Sequence, residues 1–308
     1  MSETSATQNG KQRAVPTAEM AAATRAFGTA APDPQLRNPD HLASRFIPWS
    51  RRPTVAAKLS FTRRSGRRKF EEKVPGALVY ETLRTRHMDA ELLAEVDAGA
   101  RQVVVLGAGY DSRAYRFADR LRAVTVFEVD RPEMAALKRR RVKAVLKRPP
   151  ANVRYVDIDF ERQDLGDRLR SAGFEHGVRT VVIWSGVAPY LTQDAIDATL
   201  QWFGAACAPP SLIVFDHLYQ DFIEGQLTSD GLDEMRRATK AAGEPLRTGV
   251  PRGGAAAWIA ERGLELSIEL PPTAAVARYI TARGGPEDGS AAVVDIGAFI
   301  SARVPTAR

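Results

Sequence analysis

Residues 102–130 read QVVVLGAGYDSRAYRFADRLRAVTVFEVD, and this stretch decides the fold. Val103, Val104, Val105 and Leu106 form an unbroken apolar run, the pattern of a strand covered on both faces. Gly107-Ala108-Gly109 follows and allows a sharp turn with close approach of a ligand to the backbone. Asp111 and Ser112 are both candidates to cap the next helix. Val124, Val126 and Val129 mark a second strand that closes on Glu128 and Asp130. Glu128 falls about 20 residues beyond Gly107, the spacing at which an acid meets a ribose hydroxyl in nucleotide-binding α/β folds. The alternative is an ordinary α/β turn with no ligand.

The glycine pattern argues against a dinucleotide. That fingerprint needs a third glycine where this chain has Ser112. Asp111 also stands where a pyrophosphate would rest on the helix N-terminus, and a carboxylate there repels phosphate. S-adenosyl-L-methionine carries adenosine, an amino-acid end and a sulfonium, but no phosphate. It suits the site better.

Working outward, residues 152–160 alternate as a third strand with Asp157 and Asp159 near its end. Residues 180–187 read as a fourth strand, followed by Ala188-Pro189-Tyr190-Leu191 and a helix capped by Thr192. Residues 211–218 form a fifth strand ending in Asp216-His217, and 264–270 a sixth. The last strand lies within 293–304, expected antiparallel at the sheet edge. Between the strands, 76–98 carries Leu78, Leu83, Met88, Leu92 and Val96 along one helical face, with Gly99 as its stop. Another helix starts at Pro132 and closes before Pro149. The expected fold is α/β: a doubly wound, mostly parallel, Rossmann-like sheet of seven strands. Residues 1–17 are polar and expected to be disordered, and 18–308 form one domain. Within it, 18–75 and 219–256 are expected to form a helical lid over the substrate.

Composition narrows the functions. The chain has 308 residues, 44% hydrophobic and 26% charged, as a soluble globular protein would. Its single cysteine, Cys207, excludes an intramolecular disulfide and a multi-cysteine metal site. The four histidines, at 41, 87, 176 and 217, have no metal-ligand spacing, so no metal is expected. No apolar run approaches the roughly 18 residues of a membrane span, and the N-terminus lacks a signal-peptide core. Cytoplasm is the expected location. The net charge of +7 is concentrated in 45–73 and 138–148. Little aromatic interleaving and no nucleic-acid module motif accompany it. Solvated faces, or steering of an anionic small substrate, are expected rather than nucleic acid.

LGAGYDSRAYRF followed by FEVDRPEM resembles the leucine carboxyl methyltransferase family, a branch of the class I S-adenosylmethionine-dependent methyltransferases. TRAFGTAAPDP, RTRHMDAELL and WSGVAPYLTQDAIDATL resemble further family motifs in family order, over about residues 20–220. The resemblance implies O-methylation of a carboxyl or hydroxyl on a small molecule, with polyketide-type secondary metabolites among the acceptors. It implies N-terminal helices over the cofactor, contacted by Gly107, Ala108, Gly109, Asp111, Glu128 and Asp130. Arg84, or Arg86 after it, would grip the methionine carboxylate through two parallel hydrogen bonds, with Arg25 a weaker candidate. Asp159-Phe160 would meet the adenine. Ser185 replaces the family glutamate that takes the cofactor amino group, which removes a charge pair. His217, and His87 after it, are base candidates, and Tyr190 is a candidate pocket wall. Packed histidines and a core tyrosine are the alternatives. A nicotinamide-dependent oxidoreductase and an inactive methyltransferase-like binding protein are the competing functions.

Overall fold

The computed structural model describes residues 16–47, 76–159, 162–241, 243–285 and 291–306. Phe160, most of the basic segment 45–73 and residues 1–15 of the tail lie outside these. The strands are β1 (Gln102–Leu106), β2 (Thr125–Asp130), β3 (Val153–Asp157), β4 (Thr180–Trp184), β5 (Leu212–Leu218), β6 (Glu265–Leu270) and β7 (Gly297–Arg303). The helices are α1 (Pro16–Gly28), α2 (Ala43–Phe46), α3 (Ala77–Asp97), α4 (Arg113–Arg116), α5 (Pro132–Val145), α6 (Leu165–Ser171), α7 (Gln193–Ala206), α8 (Gln220–Ile223), α9 (Asp230–Ala241), α10 (Ala255–Ala260) and α11 (Pro272–Tyr279).

The seven strands form one sheet in the order β3-β2-β1-β4-β5-β7-β6. β1 runs parallel to β2 and β4 on either side. Strand alternation then builds two layers. Val104, Phe127, Val182 and Phe215 face α7 and α10, packing on Leu200, Phe203 and Ile259. Val103, Val105, Val126 and Val214 face the other way, onto Met88 and Leu92 of α3, Ala22 of α1 and Met134 of α5. Each such fully buried side chain contributes roughly 1.5–3 kcal/mol over exposure. Burial on both faces explains why these strands read as continuous apolar runs.

Three expectations need correction. β7 is antiparallel, but it lies between β5 and β6, and β6 holds the edge. The helix after the glycine turn is a single turn, α4, and the Ser112 side chain does not cap it. Asp111 does so instead, its Oδ1 accepting from Arg113 N at 2.8 Å. β3 stops at Asp157, so Asp159 lies in the loop beyond it, and the next helix is capped by Asp164. Elsewhere Gly99, at φ +97°, follows α3 as expected, and Thr192 caps α7.

The turn after β1 places its ligand-facing backbone under tight control. Gly107 has φ +60°, and a Cβ there would lie 2.5 Å from Val187 Cγ2 in the loop after β4. Gly107→Ala should therefore lower stability by about 1–2 kcal/mol from left-handed backbone alone, with the clash added. Adding Val187→Ala should restore the clash component and not the backbone component. Chemical denaturation of the three variants checks this, and a Gly107→Ala protein as stable as the parent would contradict the turn geometry.

Candidate functional site

The turn opens at the C-terminal ends of the parallel strands, where open α/β sheets bind ligands. α1 lies across it. A Cβ on Gly109 would sit 3.4 Å from Ala18 Cβ, and Arg25 Nη2 donates to Tyr110 O at 2.9 Å. The start of α1 is tied to the insert after β5, with Thr17 Oγ1 donating to Glu244.

Beneath α1 runs a chain of buried and half-buried charges that alternates in sign. Asp216, near the end of β5, accepts from Arg84 Nη1 at 2.9 Å. Arg84 also donates to Glu81, one turn earlier on α3. Glu81 meets Arg25 Nη1 at 3.4 Å, and Arg25 Nε meets Asp40 at 2.8 Å. Asp40 lies 3.7 Å from Arg116, which binds Asp89 with both Nη atoms at 2.8 and 2.9 Å. Arg113 Nε contacts the same Asp89 at 2.8 Å and also donates to Asp111. Only guanidiniums can do this: each has five donors in a planar fork and so bridges two acids.

Burial alone would raise Asp111, but the Arg113 and Lys138 charges outweigh it and hold its carboxyl at about 2. Asp111 is thus a paired anion, not a bare one facing the turn. A void of about 10 Å³, room for roughly one water, is lined by Arg25, Asp40, Glu81, Asp111 and Ser185 among others.

A second acidic group underlies the turn. Glu128 is buried, with Lys138 Nζ 2.8 Å from Oε1 and Tyr115 OH donating to Oε2 at 2.8 Å. Lys138 also donates to Ala108 O at 3.1 Å, so α5 holds the turn from below. Asp130 lies at the turn itself. Its Oδ2 accepts from Gly109 N at 2.6 Å and its Oδ1 from Arg131 N at 2.7 Å. Burial raises its pKa even against those two amides. Glu128 meets the sequence spacing, yet both its oxygens are already engaged.

The remaining candidates are dispersed. Tyr190 sits in the turn Ala188–Tyr190 after β4, and burial pushes its hydroxyl up to about 12. His217 follows Asp216 on β5, so the two side chains take opposite faces of the sheet. Its Nδ1 lies 3.1 Å from Leu218 O, its Nε2 is buried without a partner among the described residues, and burial lowers it to about 4. His87 is a packed core histidine, 3.0 Å from Tyr279 OH and likewise lowered to about 4 by burial. Arg86 points away from Arg84 and donates to Tyr279 O and Arg37 O. Asp159 is half-buried beyond β3, its N–H donating to Gln163.

Sequence reasoning missed Glu81, Asp40, Asp89, Arg113, Arg116 and Lys138. Glu81 had a signal, three residues before Arg84 on one helix. Asp216 was visible as an acid at a strand end. Asp40 and Asp89 join the chain only through tertiary packing.

The donor set fits S-adenosyl-L-methionine. Guanidiniums stand ready for a carboxylate, acids for an ammonium and a ribose, and the turn is free of a phosphate-binding cluster. The void is far smaller than the cofactor, so binding requires α1 to move off the turn. Sheet, turn and acid together define a class I S-adenosyl-L-methionine-binding methyltransferase fold. The chain belongs to the leucine carboxyl methyltransferase family, which it matches over residues 18–204.

It is 37% identical over 155 residues to a Mycobacteroides abscessus protein assigned to the S-adenosyl-L-methionine-dependent methyltransferases, covering 50% of this chain and 48% of that one. The chain thus spans about half the length of that relative. A Mycolicibacterium gilvum protein assigned likewise is 32% identical over 239 residues, 75% of this chain and 71% of that one. A DUF574-family protein from Streptomyces avermitilis shares the fold, with a TM-score of 0.52 at 15% identity, covering 78% of this chain and 91% of that one. Among the described residues no helix is long and apolar enough to cross a membrane.

Two outcomes follow from this arrangement. Asp89→Asn leaves Arg113 and Arg116 facing each other in a buried setting and should cost about 3–5 kcal/mol by chemical denaturation. His87 and His217 both titrate near 4 when folded, against 6.5 ordinarily. The unfolded chain binds more protons between those values, so their contribution is full above pH 6.5 and is lost as pH falls toward 4. The thermal midpoint should drop across that window, and His217→Asn should reduce the slope.

Proposed function

We propose that the protein is an S-adenosyl-L-methionine-dependent methyltransferase that methylates an oxygen of a small molecule, a carboxylate before a hydroxyl. The observation that carries this is Asp130 anchored on the Gly109 amide at the end of β2, beside the buried acid–guanidinium chain. In this reading Asp130 holds the ribose and the Gly107–Gly109 backbone lies against the amino-acid end. Arg84, with Arg25 near it, takes the cofactor carboxylate, and Asp159-Phe160 meets the adenine. The bound cofactor supplies an activated methyl on a cationic sulfur. The protein's task is alignment and the exclusion of water, for which α1 over the turn and the insert after β5 are the available cover.

Acceptor choice follows from the bases on hand. A histidine lowered to about 4 is a weak base toward a phenol near 10. A carboxylate acceptor is already ionised at neutral pH and requires none. Tyr190 then serves as a wall of the acceptor pocket, and His217 as a neutral neighbour. A secondary metabolite bearing a free carboxyl is the acceptor class that matches this chemistry.

The test is calorimetric titration of the full chain with S-adenosylhomocysteine, beside Asp130→Ala and an NADH control. Wild-type protein should bind S-adenosylhomocysteine, Asp130→Ala should bind it at least about tenfold more weakly, and NADH should not bind. Labelled methyl transfer to a panel of small carboxylates and phenols should then favour the carboxylates. NADH binding in place of S-adenosylhomocysteine would overturn the reading.

A further inference from the structure

We infer that Glu81 takes the α-ammonium of the cofactor's amino-acid end, the charge that Ser185 leaves unmet; this rests on the S-adenosyl-L-methionine reading above. The first ground is charge balance. The alternating chain begins with Asp216 and ends with Asp111, so among the described residues five carboxylates face four guanidiniums. Lys138, the nearest further cation, is engaged by Glu128. A buried cluster with one anion in excess is completed by a cation from a ligand.

The second ground is which acid has capacity left. Asp40, Glu81 and Asp111 line the void together with Ser185. Asp40 is filled by Arg25 Nε at 2.8 Å, Ser112 Oγ at 2.6 Å and Leu42 N at 3.2 Å. Asp111 is filled by Arg113 N at 2.8 Å and by the Arg113 guanidinium. Asp216 is held by Gly186 N at 2.6 Å and Arg84 Nη1 at 2.9 Å. Glu81 alone of the four has an oxygen, Oε1, whose hydrogen-bond contact is a single one of 3.4 Å, to Arg25 Nη1. A carboxylate oxygen accepts two good bonds, so Oε1 has room for an ammonium donor.

The third ground is shape. Glu81 stands between the guanidiniums of Arg25 and Arg84. An acid flanked by guanidiniums is the complement of an amino-acid zwitterion: the ammonium meets the acid while the carboxylate meets a guanidinium beside it. The charge lost at position 185 is thus supplied from α3, across the same void.

The test compares two ligands of the same nucleoside thioether. S-adenosylhomocysteine carries the amino-acid end, and 5′-methylthioadenosine lacks it. Calorimetry is run on wild type, Glu81→Gln, Glu81→Asp and Glu81→Gln/Ser185→Glu, with circular dichroism to establish folding. Glu81→Gln should weaken S-adenosylhomocysteine roughly tenfold or more and leave 5′-methylthioadenosine within about twofold. Glu81→Asp should show a smaller, equally selective loss. Ser185→Glu in the Glu81→Gln background should restore much of the lost affinity. If Glu81→Gln does not fold, Glu81→Asp decides. Parallel changes for the two ligands, or no change, would overturn the inference and assign Glu81 a structural role. A wild-type protein that binds neither ligand would instead remove the cofactor reading, and the inference with it.

Discussion

A carboxylate buried without a cation is untenable, and the ligand end of this protein is arranged around that constraint. Nine charges from α1, α3, α4, β5 and the loops at 40 and 111 satisfy one another in alternation. Each guanidinium ties together segments far apart in sequence: Arg84 joins α3 to β5, and Arg25 joins α1 to α3 and to the glycine turn. Removing one member strands its neighbours, so the chain fixes relative positions more than it contributes net stability. The glycine turn is held from above by α1 and from below by Lys138. Its conformation is settled before any ligand arrives, while the roof over it is not.

The sheet was legible because its strands carry their own signature. Val103–Leu106, Val181–Ile183 and Leu212–Phe215 are apolar on both faces, and that pattern belongs to covered parallel strands. Periodicity tells which segments are strands, but not who sits beside whom. The position of β7 between β5 and β6 depends on side chains of three strands meeting at once, which no single stretch encodes.

The site was legible to the same degree. Gly107, Gly109 and Asp130 were found because turn chemistry and strand ends are local. The spacing that pointed to Glu128 measures distance along the chain and is blind to what packs there; Lys138 and Tyr115, from two other elements, engaged it. His217 was singled out by its strand end alone. Alternation would have said that it and Asp216 cannot face the same cluster. Asp40 and Asp89 are acids in unremarkable surroundings of sequence, and only the fold gives them partners.

The insertion of β7 has a consequence for how the protein is made. β5, which carries Asp216 into the charge chain, pairs on one side with β4 and on the other with residues 297–303. While the ribosome is still adding the last segment, that second side of β5 has no neighbour, and its backbone amides and carbonyls stay unpaired. The strands that frame the turn, β1, β2 and β4, need no such late arrival. Half of the sheet is therefore free to assemble during synthesis. The half that presents Asp216 to Arg84 waits on the distant β7 and is the slow, high-contact-order step of folding.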